Sequence, residues 1–302
     1  FMEVQWFPGH MAKTRKMMEE QIQLVDVVVE VVDARIPAGS KNPYLDELWK
    51  RRPRIIAMNK ADLADPARTA RWRSWYEAQG YGTVLLDSLH GKGISEIQPL
   101  AQKLCRDKLE KEKERGRQGR ALRLMITGIP NVGKSTLINR IAGRSEAAKT
   151  GNRPGVTRAK QWIRLRGNME LLDTPGILWP KFEDPQVGKK IACIGSIKDE
   201  NLDAYTVATE LLDLLRPDYN ANLQERYKLS AEELEESAAD LLMTIGAHRG
   251  HKVSGGNIDW ERTSRVIVDE FRGGKLGRIT LEVPEDLEDA EKNTGTVDCT
   301  IS

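Results

Sequence analysis

Eight residues, Gly128-Ile129-Pro130-Asn131-Val132-Gly133-Lys134-Ser135, carry the strongest chemical signal in the chain. They follow an apolar run, Leu122 to Thr127, and open an amphipathic one, Ser135 to Ala142. Strand, glycine loop and helix together form the setting in which backbone N–H groups turn inward around a phosphate. The helix N-terminus adds unpaired donors and a positive dipole end. In that setting Lys134 reaches the β- and γ-phosphates of a nucleotide, and Ser135 offers its hydroxyl to Mg2+. Gly128, Val132, Gly133 and Thr136 supply the rest of the cradle. The loop by itself does not choose between adenine and guanine.

A second stretch makes that choice. Arg54 to Met58 reads as a buried strand, and it ends in Asn59-Lys60-Ala61-Asp62. A carboxylate at Asp62 can accept from both guanine N1–H and the exocyclic N2 amine, a donor pair adenine lacks. Asn59 can bond the other edge of the base, and the Lys60 stem can lie along the ring. A missing hydrogen bond of this kind discriminates strongly between substrates. The four residues are a weak signal alone and gain weight from the phosphate loop. After a third strand, Thr83 to Leu86, the turn at Ser88 and Leu89 can present backbone donors to guanine O6; an ordinary glycine-rich strand–helix turn fits the spacing as well.

The metal-binding half is read from position. Gln161 to Leu165 and Met169 to Leu172 predict a hairpin around Arg166-Gly167-Asn168, ending in Asp173-Thr174-Pro175-Gly176. At that strand end Asp173 can hold the Mg2+ shell and the Gly176 N–H can sense a γ-phosphate. Residues 143–158 are polar and glycine-containing, the character of a mobile loop, and Thr157 within it can complete the Mg2+ coordination.

The elements that must position these residues follow from the apolar pattern. Val25 to Val32 is near-continuous and β-branched, which suits a parallel strand buried on both faces. Helices are expected over residues 10–24, Tyr44 to Lys50, Asp65 to Gln79 and Gly93 to Arg106, and the mixed-charge stretch Lys108 to Arg120 reads as a solvated helix end and linker. The second half predicts helices over Val187 to Ser196, Ala204 to Leu215 and Glu232 to Ile245. Ser230 and Glu233 form a capping box there, and Leu234, Ala238, Leu241, Leu242 and Ile245 a single apolar stripe. Asp259 caps a last helix with Trp260, Ile267 and Phe271 inward. His248, Arg249, His251, Lys252, Arg262, Arg265, Arg272, Lys275 and Arg278 are left outside, a cluster that points to a phosphate-backbone partner or to a solvated basic face.

Composition sets the outer bounds. The 302 residues carry a formal net charge of +2, so any nucleic-acid surface must be a local patch. The three cysteines, Cys105, Cys193 and Cys299, are far apart, which supports neither a disulfide framework nor a structural zinc site. No stretch reaches the length of a membrane-spanning helix and no signal-peptide pattern opens the chain, so the expectation is a soluble, cytoplasmic protein without a membrane or DNA partner.

Taken together, the loops resemble those of a translation-factor-type GTPase of the Ras-like superfamily, in rotated order. The usual order is phosphate loop, switch threonine, DxxG, NKxD, serine turn; here NKxD and the serine turn come first. A wound parallel sheet tolerates this because its original termini lie near each other, and Lys108 to Arg120 would join them. The rotated order, Phe7-Pro8-Gly9-His10-Met11, Asp33-Ala34-Arg35 and the C-terminal helices resemble the circularly permuted GTPases of the RbgA/YlqF type over residues 2–283. The resemblance implies an α/β, Ras-like P-loop GTPase fold with circularly permuted motif order over residues 2–178, and a C-terminal all-helical, RNA-contacting domain over 179–283. The acidic tail, 284–302, is expected to be disordered.

The same resemblance implies GTP as substrate, Mg2+ as cofactor and the large ribosomal subunit, with its rRNA and proteins, as partner. Ile177 stands where Ras-like enzymes place a water-orienting glutamine. The family is thought to use a histidine near the N-terminus, which matches His10, so the implied catalytic set is His10, Lys134 and Thr157. Asn131 resembles the asparagine of potassium-dependent GTPases. Arg249, Lys252, Arg262, Arg265, Arg272 and Lys275 are the implied RNA contacts. Two function classes stay open at this point: a GTPase whose cycle gates binding to a maturing subunit, and a nucleotide-dependent RNA-binding scaffold in which hydrolysis is incidental. A P-loop small-molecule kinase leaves NKxD unexplained.

Overall fold

The computed structural model describes residues 16, 19–49, 52–115, 119–143, 161–165, 167–173, 185–197 and 202–287. Six strands form one sheet: β1 (Val27–Asp33), β2 (Arg54–Asn59), β3 (Gly82–Leu85), β4 (Leu122–Gly128), β5 (Gln161–Leu165) and β6 (Met169–Asp173), in the spatial order β3-β2-β1-β4-β6-β5. The first five in that order run parallel, and β5 closes the edge antiparallel to β6. The phosphate-loop strand β4 thus sits mid-sheet although it comes fourth in the chain, which is how a permuted chain keeps a wound sheet.

The apolar run predicted as a doubly buried strand is one. Every residue of β1 and β2 is buried. Their side chains alternate, as a pleat requires. Val27, Val29 and Val31 join the larger core, while Val28 packs with Ile22, Leu45, Trp49, Met125 and Leu172, and Val32 with Ile56, Met58, Trp72 and Tyr76. Helices α1 (Pro43–Leu48) and α2 (Pro66–Ala78) lie between the first strands in sequence. Asp65 caps α2 by accepting from Ala67 N and Arg68 N.

The joining stretch differs from its expectation. The helix predicted over Gly93 to Arg106 stops at Leu104, and a second begins at Arg106: α3 (Ile94–Leu104) and α4 (Arg106–Glu114), hinged at Cys105. The first half of the expected linker is therefore helical. Both of its ends are tied to the buried carboxylate of Asp26, by Lys108 Nζ at 2.6 Å and by an Arg120 guanidinium nitrogen at 3.3 Å. Charge that reads as solvation in sequence works here as a clasp.

The phosphate-loop helix is α5 (Lys134–Gly143), and α6 (Pro185–Cys193) opens the helical part. Three expectations are corrected there. The helix predicted to end at Leu215 runs on as α7 (Ala204–Tyr227), bending at Tyr219, whose φ of −125° follows Pro217. Pro217 lacks an N–H and so weakens the ladder, but burial of Tyr219, Leu223 and Tyr227 carries the helix through. The helix predicted over Glu232 to Ile245 is two, α8 (Ala231–Leu234) and α9 (Ala238–His248), because Ser237 caps a fresh start by accepting from Asp240 N. The Ser230–Glu233 capping box is present. In α10 (Trp260–Arg272) Asp259 is the cap and Ile267 and Phe271 are inward, whereas Trp260 is 47% exposed, its ring edge-on to Tyr205.

After α10 the chain crosses back onto the loops that follow β1 and β2, and onto α2. Ile279 N donates to Leu63 O, Leu281 N to Arg35 O, and Trp72 Nε1 to Glu282 O. The buried Glu282 carboxylate accepts from Ala38 N at 2.9 Å and Gly39 N at 3.1 Å, with Lys190 Nζ at 3.4 Å. Burial raises its pKa against those partners. Glu282→Ala should cost about 2–4 kcal/mol, because it orphans one buried and one part-buried N–H group and an ammonium. Denaturant unfolding measures this, and a loss below ~0.5 kcal/mol, the range of an ordinary surface change, would mean the clasp contributes nothing.

Candidate nucleotide site

The loops that carry the motifs all leave the same end of the sheet, the C-terminal ends of β1, β2, β3 and β4, where wound sheets bind ligands. Asn59 ties them together. Its Nδ2 donates to Val132 O at 2.7 Å, and its Oδ1 accepts from Ser88 N at 2.9 Å and Ser88 Oγ at 2.8 Å. The side chain is 2% exposed. Sequence reasoning gave Asn59 to the base; the geometry spends most of its capacity on joining the phosphate loop, the NKxD loop and the serine turn. Gly133 allows this approach: its φ is +98°, and an added Cβ would lie 2.1 Å from Asn59 Nδ2. Asn59→Ala should cost ~2–3 kcal/mol in unfolding free energy by orphaning buried donors and an acceptor. It should also loosen guanine-nucleotide binding, and titration calorimetry showing wild-type affinity would refute the tie.

Lys60 lies in the left-handed region, φ 59°. Its Nζ donates to Asn131 O at 3.0 Å and pairs with Asp33 Oδ2 at 3.1 Å. Asp33 is fully buried, and Arg35 grips its carboxylate through Nε and Nη2 at 2.9 and 2.8 Å. Burial pushes the Asp33 carboxyl up, but the charge and hydrogen bonds of Arg35 and the charge of Lys60 outweigh it and hold it at about 2. A carboxylate depressed in the fold contributes stability above its unfolded value, about 3.9, and loses it as pH falls toward the folded one. The stability advantage of wild type over Asp33→Asn should therefore shrink by about 2 kcal/mol between pH 5 and pH 2. A pH-independent difference in unfolding free energy would contradict this charge assignment. At neutral pH the pair is fully formed.

Asp62 is exposed at the mouth of the site. Asp87, Asp62 and His90 each place a ligand atom within 4.8 Å of the others. His90 closes the serine turn, its N donating to Asp87 Oδ1 at 3.0 Å and its Nδ1 lying 2.8 Å from Asp87 Oδ2. Leu89 is 69% exposed, and its carbonyl accepts from Arg140 of α5. Lys134 Nζ contacts Gly128 O at 3.4 Å, and burial lowers its pKa. Ser135 is exposed at the start of α5, with Thr136 beside it, and Leu137 N donates back to Gly133 O. His10, Thr157, Gly176 and the side chain of Asp173 lie outside the described residues.

Asp33, Arg35, Asp87, His90 and Arg140 escaped the sequence reading as parts of this site. The strand-end position of Asp33-Ala34-Arg35 was the available signal. Two members of the basic cluster turn inward. His251 is buried, its Nδ1 3.1 Å from Thr263 Oγ1. Arg249 shares Glu270 with Arg226, and Arg265 pairs with Glu261 one turn back. Arg272 points inward, to Cys193 O at 3.0 Å and Ala192 O at 2.8 Å, and Arg278 holds Ala61 O and Ala64 O. His248, Arg249, Lys252, Arg262, Arg265, Lys275 and Arg278 are exposed.

A family model described as "50S ribosome-binding GTPase" matches residues 123–243. Ribosome biogenesis GTPase A of Bacillus cereus is 46% identical over 295 residues, covering 96% of this chain and 99% of that protein. The chain belongs to the ribosome biogenesis GTPase A family. The ribosome biogenesis GTPase A of Thermotoga maritima is 29% identical over 93% of the chain and 95% of its own length. Mouse mitochondrial ribosome-associated GTPase 1 is 32% identical over 92% of the chain and 89% of its own. Among solved structures, GDP-bound YlqF aligns with a TM-score of 0.65 at 26% identity, over 89% of this chain and all of that one. The fold is thus that of a ribosome biogenesis GTPase A, a Ras-like GTPase with permuted motif order and a helical C-terminal part. The chain is a GTPase of ribosome biogenesis, and GTP is its substrate. Among the described residues no helix is long and apolar enough to cross a membrane.

Proposed function

We propose that this GTPase is a nucleotide-gated assembly factor of the large ribosomal subunit, binding the maturing particle in one nucleotide state and leaving it in another. The observation that carries the reading is the Asn59 tie. It gathers the residues suited to guanine, Asp62 and the Ser88 turn, with those suited to phosphate, Gly128 to Thr136, at one sheet end. Asp62 reads guanine N1 and N2, the Ser88–Leu89 turn its O6, and Lys134 the β- and γ-phosphates. Ser135, Thr157 and Asp173 offer hard oxygen donors, the set that suits Mg2+. Mg2+ supplies charge neutralisation on the phosphates when bound.

His10 is the proposed group that orients water, and the Oδ1 of Asn131 is the atom that would meet a potassium ion. Arg249, Lys252, Arg262, Arg265 and Lys275 are outward cations that support an rRNA contact, and the names of the relatives support ribosomal partners. Sedimentation with large ribosomal subunits tests the reading. A non-hydrolysable GTP analogue should carry the protein into the particle fraction, and GDP should not. Equal sedimentation in both states, and with Lys134→Ala, would favour a scaffold in which hydrolysis is incidental.

A further inference from the structure

Two residues of the nucleotide loops hold left-handed backbone without being glycine, Lys60 at φ 59° and Asn131 at φ 62°. Such positions persist when their surroundings over-determine them. Here the surroundings form a closed ring, and half of it belongs to the helical part. Lys60 Nζ donates to Asn131 O. Asn131 Nδ2 donates to Gly195 O, in the turn after α6, at 2.7 Å. Gly195 has φ +79°, and an added Cβ would lie 3.1 Å from the Arg272 guanidinium carbon beneath it. That guanidinium, at the end of α10, also holds the last carbonyls of α6, Ala192 O and Cys193 O. The Arg272 carbonyl accepts from Arg35 Nη1 at 3.4 Å, and the Arg35 guanidinium lies 5.2 Å from the Phe271 ring centroid. Arg35 then grips Asp33, and Asp33 pairs with Lys60.

We propose that Asp33, Arg35 and Arg272 are positioning residues of the nucleotide site, through which the seat of the helical part sets how long a guanine nucleotide stays bound. The proposal rests on the reading of residues 59–62 and 128–135 as that site. It gives the helical part a direct handle on both nucleotide loops, without passage through the segments that sense a γ-phosphate. Linkage makes the handle reciprocal: a partner that shifts the α6–α10 corner changes nucleotide affinity by the factor with which nucleotide changes affinity for the partner.

The test is release of fluorescent GDP from the full chain, followed by stopped flow. Arg272→Ala and Asn131→Ala should each speed release by about tenfold, a typical coupling. The double variant should release no faster than the faster single, because both cut one ring. Arg272→Lys, which keeps a cation able to reach a carbonyl, should recover much of the lost residence time. Should Arg272→Ala fail to fold, Asp33→Asn cuts the opposite side of the ring and should speed release likewise. Multiplicative effects in the double variant, or wild-type release from folded Arg272→Ala or Asp33→Asn, would overturn the proposal. Asp62→Asn is the control for the underlying reading: if base preference does not change there, the site assignment fails. If base preference changes and the ring variants stay silent, only the ring fails.

Discussion

Replacing Lys134 by alanine should lower GTP turnover by about 10²–10³-fold, the usual cost of losing one pre-placed donor to developing phosphate charge. The argument is electrostatic. Its ammonium is half-buried, burial lowers its pKa, and it contacts the Gly128 carbonyl at 3.4 Å. A cation in that state gains much from a phosphate, because the desolvation is already part of the fold. The loop around it does not depend on the lysine: Asn59 holds Val132 O, and Leu137 N holds Gly133 O. Folding stability without nucleotide should therefore stay near wild type while turnover collapses. A single-turnover assay beside a thermal unfolding curve separates the two. Turnover within a few-fold of wild type would mean the loop does not grip the phosphates as proposed.

Asp62→Asn should reduce GTP affinity by about 100-fold or more and raise affinity for XTP. A carboxylate accepts from N1–H and the N2 amine together. An amide there presents one acceptor and one donor, and its donor faces the guanine amine. Xanthine carries a carbonyl in place of that amine, so the same amide donor finds an acceptor. Asp62 is exposed, and the turn that places it is held by other groups, Ala61 N to Leu86 O and Ser88 to Asn59. The substitution should thus change the base and spare the fold. Competition between GTP and XTP for the variant reads this directly, and an unchanged preference for GTP would remove Asp62 from the base.

How much of this was legible beforehand depends on the range of the interaction. Motifs whose chemistry is local, such as the phosphate loop and the Asn59–Asp62 turn, could be read because backbone conformation and near neighbours define them. The buried strands were legible too, since a β-branched run admits few alternatives. What sequence could not give was partnership across distance. The sequence places Asn59 beside the base, but nothing local says that its amide also meets Val132, 73 residues on. Arg272 read as an outward cation at a helix end, where such residues are usually solvated; its inward turn depends on α6 ending beneath it. The helix expected to end at Leu215 runs on through Pro217, because the burial of Tyr219, Leu223 and Tyr227 outweighs the missing N–H. Trp260 read as core by helical period, yet it stands at the exposed start of α10.

The measurement that tests the central claim most directly is GTP turnover by the full chain in potassium buffer, with and without large ribosomal subunits. A low basal rate that rises by tenfold or more with the subunit is the expected result, since an assembly switch couples hydrolysis to its particle. The same rate in both conditions, with guanine binding intact, would contradict a particle-sensing switch and leave the nucleotide as a structural ligand of a scaffold.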